Sequence, residues 1–256
     1  MMPVETYSII LAILSAAAAG LVGAFALMKR TILAGDVMSH IAIPGLGLAV
    51  LWNINPLAGG GLTLFAGILL IWHLQKKTEL SAEAAIGVIF ASSVALGALL
   101  INSKEQLIDA LFGGFGNLST QEFVFGAAVS VFIILALWML RNKLIIGTFS
   151  PELAVSAKIN VNTVNLWFLL IFGLAILVSL RFLGALLVGS LIIIPASAAR
   201  QLTHSLGKFL VTSMALSVAS MLIGLFVAGR YGLVEGPATV VAAATIFALS
   251  MLKRKK

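Results

Sequence analysis

The sequence predicts an all-α, polytopic transmembrane helical bundle, and three observations carry that prediction. Of its 256 residues, 61% are hydrophobic and 10% charged, whereas an ordinary globular domain carries about 25% charged residues. Apolar runs long enough to cross a bilayer recur along the whole chain. The basic residues sit singly or in pairs at the ends of those runs, so the formal charge of +7 reads as membrane topology rather than nucleic-acid binding. There is no cysteine, which excludes disulfides, thiolate metal sites and a cysteine nucleophile.

In chain order, the candidate spans are residues 7–28, 32–52, 57–74, 82–101, 123–140, 164–180, 182–199, 209–228 and 233–252. The segment before the first run, Met1 to Ser8, contains Glu5 and no Lys or Arg, so it lacks the basic start of a secretory signal and the run is read as an uncleaved span. The two runs flanking Arg181 are short, and eight spans plus one broken segment fit the sequence as well as nine. With nine spans and the N-terminus outside, thirteen basic residues face the cytoplasm: Lys29, Arg30, Lys76, Lys77, Arg141, Lys143, Lys158, Arg200, Lys208, Lys253, Arg254, Lys255 and Lys256. Three, Lys104, Arg181 and Arg230, face outward. That bias predicts an N-out, C-in orientation.

Two connections are long enough to hold structure of their own, residues 102–121 outside and 141–165 inside. The outer one contains Ile108-Asp109-Ala110-Leu111-Phe112-Gly113, a short amphipathic piece before Gly-rich backbone. In the inner one, Ser150 as N-cap, Pro151 at the first helical position and Glu152 in the first turn form a helix-start signature. A capped cytoplasmic helix there is either a docking surface or an interfacial linker. No repeat, low-complexity segment or second domain is evident, so residues 1–256 read as one membrane domain.

Ionisable groups at membrane depth are expensive and therefore functional candidates. Only Asp36 and His40 lie well inside a predicted span. On a helix, positions i and i+4 share a face, so both side chains can reach one ligand. A helix starting near Thr31 places them roughly 8 to 15 Å inside the membrane edge. Pro44 has no N–H for the carbonyl of His40, which leaves a backbone oxygen free beside the pair. Oxygen plus imidazole suits zinc, manganese and ferrous iron, while the lack of thiolates disfavours copper(I). Two side-chain ligands fall short of the four a tetrahedral zinc needs, so carbonyls, water or a second copy must complete the shell. The competing reading is an acid–imidazole hydrogen bond that locks helix packing.

Elsewhere, His73 reads as an interface anchor, His204 as a solvated loop residue and Glu83 as a complement to a helix dipole. Glu235 could draw cations to an outer mouth. The small residues of 184–190 allow close helix packing, and Pro195 frees the Leu191 carbonyl and predicts a kink. There is no His-Glu-x-x-His motif, no intramembrane aspartate pair and no Gly-x-x-x-x-Gly-Lys-Ser/Thr loop. The chain is thus read as a non-enzyme, and any ATP hydrolysis belongs to a partner.

Four stretches together resemble the membrane permease of the zinc/manganese/iron family of ATP-binding-cassette importers. Gly35-Asp36-Val37-Met38-Ser39-His40 with Ile43-Pro44-Gly45 is similar to that family's Gly-Asp-x-x-Ser-His-x-x-x-Pro-Gly. The second is Glu83-Ala84-Ala85-Ile86-Gly87-Val88-Ile89-Phe90 with the later Leu111-Phe112-Gly113. Phe149-Ser150-Pro151-Glu152-Leu153-Ala154 resembles Phe-Asp-Pro-Glu-x-Ala, with Ser150 in place of Asp. The fourth runs from Gly184-Ala185-Leu186-Leu187-Val188 to Ile194-Pro195-Ala196-Ser197-Ala198-Ala199-Arg200.

The resemblance implies a type II importer-like permease in the prokaryotic cytoplasmic membrane, working as a homodimer with an ATP-binding-cassette ATPase and an extracytoplasmic metal-binding protein. It implies no permanently bound cofactor, a transported manganese, zinc or ferrous ion, and ATP on the partner. It assigns Asp36 and His40 to metal contact and residues 149–158 to a coupling helix, with Phe149, Pro151, Glu152 and Ala154 at the motif positions. Near the last span the chain departs from the family's Pro-Ala/Ser-Gly-Pro/Ala with Val234-Glu235-Gly236-Pro237, so no role for Glu235 follows from the resemblance. The alternatives are a permease for a metal chelate such as a siderophore or corrinoid, a stand-alone ion-coupled carrier or channel, and a purely structural subunit.

Overall fold

Small side chains place the first helix at the centre of the bundle. In helix α1 (Val4–Met28), Ala12, Ala16, Ala18, Ala19, Ala24 and Ala26 are buried. Lipid offers no hydrophobic drive between apolar helices, so association rests on close backbone approach and interhelical hydrogen bonds, and small residues provide both. Ser213 Oγ on a neighbouring helix donates to Gly20 O at 2.6 Å. The computed structural model describes residues 4–31, 34–52, 54–78, 82–100 and 119–252. Among them, every regular element is a helix.

The apolar run at 32–52, expected as one span, is two helices, α2 (Ala34–Ile41) and α3 (Ile43–Leu51). The break falls at Ala42, whose N–H turns back to Ser39 O at 3.3 Å, and Pro44 in the next turn has no N–H for His40 O. Helix α3 packs on α4 (Pro56–Lys77), which Asn55 caps by accepting from Leu57 N–H at 2.8 Å. The contact is backbone on backbone: a Cβ added to Gly45 would lie 2.0 Å from Gly59 O. Gly45→Ala is therefore expected to destabilise the protein by about 1–3 kcal/mol or more, read as a lowered thermal midpoint of the purified chain.

Helix α5 (Ala82–Leu100) packs on α2 and α3. Helix α6 (Thr120–Phe149) is longer at both ends than the expected 123–140 span. Its start is fixed by a capping box, with Ser119 Oγ accepting from Glu122 N–H at 3.2 Å and Glu122 Oε2 from Ser119 N–H at 3.0 Å. Its end absorbs Arg141 to Phe149, so the inner connection predicted from 141 is mostly helix. Phe125, Phe132, Leu135 and Met139 stand exposed along it, as a lipid-facing surface requires.

After the short α7 (Pro151–Ser156) comes α8 (Val161–Leu202), interrupted at Gly184 (φ 66°, ψ 172°). That conformation is essentially restricted to glycine, so the change of direction occurs there rather than at Arg181, and the helix continues through Pro195. Helices α9 (Leu206–Tyr231) and α10 (Glu235–Leu252) pack on each other and on α8. Phe25, Phe168, Phe172 and Phe209 are the largest fully buried side chains at the centre.

Among the described residues, six helical segments are long and apolar enough to cross a membrane: Tyr7–Met28, Pro56–Gln75, Thr120–Phe149, Val161–Leu180, Leu206–Tyr231 and Glu235–Leu252. Ala84–Leu100 and Leu187–Leu202 are shorter apolar helices. The amphipathic piece expected at 108–113 lies outside the described residues.

Candidate functional site

Both predicted ligands sit on α2, one turn apart and half-buried, while Met38 and Ser39 between them are buried. Ser39 Oγ donates to Asp36 O at 2.6 Å, tightening the turn that presents the carboxylate. His40 follows Asp36 by four residues on the same helix, one turn along the same face. The imidazole in turn tilts against the Phe90 ring of α5, with centroids 5.5 Å apart.

Helix α2 is seated on α8 through two glycines, one from each helix. A Cβ on Gly35 would come within 2.9 Å of Phe172 Cζ, and one on Gly189 within 2.7 Å of Asp36 Cα and 2.8 Å of its Oδ1. No room exists for larger groups at either point. Among the described residues, no cluster of three or more His, Asp or Glu side chains is present. The arrangement thus brings one carboxylate and one imidazole to neighbouring turns of a single helix, fewer side chains than the four a tetrahedral metal ion needs.

A run of contacts links this pair to the end of the bundle where α1 stops and α8 starts. Lys29 Nζ donates to Asn165 Oδ1 and lies 5.5 Å from the centroid of the Phe168 ring. Phe168 packs on Phe172 at 5.6 Å between centroids, and Phe172 abuts Gly35. Burial holds the Lys29 pKa below its usual 10.5. An unfolded chain then binds more protons than the folded one in the window just below pH 10.5, so this lysine's contribution to stability rises as pH climbs through that window. Lys29→Met is expected to abolish that alkaline gain and leave a thermal midpoint that no longer rises in this pH window. Thermal midpoints of both proteins, measured from neutral to alkaline pH, check this expectation.

The remaining predicted positions lie elsewhere. Glu235 opens α10, where its carbonyl accepts from Thr239 Oγ1 at 2.8 Å. Helix α10 packs on α8 and α9, whereas α2 packs on α4, α5 and α8. His73 and His204 are exposed.

Ser150 is the N-cap of α7 and Pro151 and Glu152 begin the helix, as the sequence predicts, although the Ser150 side chain makes no capping hydrogen bond. The helix is shorter than 149–158 and is closed by Ile159 N–H to Ala154 O at 2.8 Å, with Lys158 left-handed at φ 55°. Ala154 is buried, while Phe149 and Glu152 are exposed. Leu153 and Val155 are 62% and 75% exposed, as apolar and as open as Phe149. Sequence reasoning assigned these two no role, because the same connection also holds Leu144, Ile145, Ile146 and Ile159. It missed Phe172, which no ligand spacing marks, and gave Phe90 no role beyond its place in the second stretch.

The ABC 3 transport family matches residues 2–254. The high-affinity zinc uptake system membrane protein ZnuB of Haemophilus influenzae is 30% identical over 239 residues, covering 91% of each chain. The manganese transport system membrane protein MntC of Listeria monocytogenes is 27% identical over 236 residues, covering 91% of this chain and 84% of MntC. Among solved structures, PsaBC from Streptococcus pneumoniae in complex with Fab aligns with a TM-score of 0.86 at 24% identity, covering 98% of this chain and 92% of the other, which shows a shared fold. With the family match spanning nearly the whole chain and several helices apolar enough to cross a bilayer, this protein belongs to the ABC 3 transport family as a multi-pass transport subunit of the membrane.

Proposed function

We propose that this chain is the permease of an ATP-driven importer of a divalent transition-metal ion, with manganese, zinc and ferrous iron as the cargo class. The observation that carries the reading is the Asp36/His40 half-site on α2, seated against Gly189 of α8 within a family of ABC transport proteins. The zinc and manganese systems named among its relatives support that cargo. Two copies form the pathway, each contributing one half-site, and an extracytoplasmic binding protein delivers the ion.

Nine crossings with the N-terminus outside fit this role. The broken α2–α3 segment, the apolar α5 and the two parts of α8 around Gly184 support the count, and the one-sided basic residues support the orientation. In that orientation α7 faces the cytoplasm and serves as the coupling helix. Phe149, Leu153 and Val155 offer exposed apolar contacts, Glu152 a charge, Pro151 the start of the helix, and buried Ala154 its packed side. ATP binding by the partner pair draws the two α7 helices together and opens the outer side. Hydrolysis and product release return the pathway inward, where Asp36 and His40 must bind the ion less well for transport to be directional. Glu235 lies on the outer side and adds a negative charge at the mouth.

The test is uptake of radiolabelled manganese or zinc into liposomes holding the permease with its ATPase and loaded binding protein. Uptake is expected only with ATP and all three components present. Uptake by the permease alone without ATP would make the chain a stand-alone carrier or channel, and a requirement for an intact chelate would replace the free ion as cargo.

A further inference from the structure

At the end of the bundle opposite the start of α10, a cavity of about 490 Å³ opens among the last turn of α1, the ends of α6 and α8, and the first turn of α9. Its polar lining is two arginines, Arg30 and Arg200, and His204, with no carboxylate among the described lining residues. Its walls are apolar, with Leu27, Phe149 and Phe209 among them. Arg30 is exposed and left-handed at φ 57° where α1 ends, Arg200 is exposed in the last turn of α8, and His204 is exposed in the turn before α9. Leu27 belongs to the Tyr7–Met28 apolar segment, and Phe209 to the Leu206–Tyr231 one, so the cavity lies where those segments reach the membrane surface.

We propose that this cavity binds the headgroup of an anionic phospholipid. Three observations converge on that ligand. The uncompensated positive charge calls for an anion. The apolar walls suit the glycerol and first methylenes of a lipid and would be wasted on a free inorganic ion. The level at the ends of two spans is where headgroups reside, and basic pockets between transmembrane helices recognise them there. The volume falls within the range of small-molecule sites. Phe149, the last residue of α6, stands at the cavity's edge beside α7, so the lipid lies next to the surface proposed for the ATPase and away from Asp36 and His40.

The test compares the permease, purified with its ATPase, with a double Arg30→Gln/Arg200→Gln variant by native mass spectrometry after exposure to phosphatidylglycerol or phosphatidylethanolamine. Each basic residue near the membrane surface is worth about fivefold in binding an anionic lipid, so retention of phosphatidylglycerol is expected to fall by about twentyfold in the variant. Phosphatidylethanolamine retention is expected to be low in both proteins, and the Arg30→Lys/Arg200→Lys variant to keep most of the phosphatidylglycerol. Equal phosphatidylglycerol retention by wild type and the glutamine variant, with both eluting as intact complexes, would overturn the proposal. So would displacement of the lipid by millimolar inorganic phosphate, which would make this a soluble-anion site. Loss of the ATPase from the glutamine variant with lipid retention unchanged would assign the surface to the ATPase instead.

Discussion

Metal uptake is expected to fall by at least about 100-fold in Asp36→Ala and in His40→Ala. Loss of a group that merely supports a ligand costs about 10–100-fold in metal affinity, so loss of one ligand of two costs at least the upper end of that range. The two changes are not additive, because a half-site with one ligand left is already broken, and the double variant should resemble either single one. Asp36→Asn separates this reading from a packing role. An amide keeps the shape and a hydrogen bond but not the charge, so uptake stays low if Asp36 ligates an ion and returns if it only locks α2. The readout is initial uptake in the complete ATP-driven system, with co-purification of the ATPase showing that assembly is intact. Wild-type uptake by either alanine variant would remove α2 from the ion pathway.

The second large effect is expected at a residue that carries no chemistry. A Cβ at Gly189 would stand 2.8 Å from Asp36 Oδ1 and 2.7 Å from its Cα, so Gly189→Ala must push α2 off α8 or turn the carboxylate away. Overpacking of this kind costs about 1–3 kcal/mol. A displacement of the ligand by about 1 Å is enough to cost about 100-fold in a positioned reaction, and a metal site is comparably sensitive. Uptake is therefore expected to fall by about tenfold or more while both ligands remain. Gly207→Ala is the matched control, since nothing lies within 4 Å of a Cβ there, and it should transport normally. If both variants transport alike, the seat of α2 on α8 does not position Asp36.

Much of this was legible in the sequence because membrane physics is simple where it is strict. Backbone groups in lipid must be satisfied within a helix, so apolar length alone located the helices to within a few residues. Their ends were less legible, since caps and not hydropathy set them. Residues Ser119 to Glu122 spell a capping box, yet hydropathy alone starts α6 at 123, and the polar turn at Arg141 to Lys143 reads as a loop although the helix continues through it. The interruption of α8 was placed at Arg181 by its charge, but Gly184 carries it because a positive φ is cheap only for glycine.

The site divides in the same way. Composition, periodicity and the i, i+4 spacing of Asp36 and His40 sufficed to predict an all-helical membrane protein with an acid and an imidazole on one helix face, because these follow from local chemistry and helix geometry. Only the tertiary structure decided that α2 and α3 separate at Ala42, that Gly189 and Phe172 seat α2, and that Arg30, Arg200 and His204 share one cavity. Those residues lie as many as 174 positions apart in the chain, as with Arg30 and His204, and are joined by packing. Close approach between helices depends on which small residues face each other, and no local pattern in a single chain records that pairing.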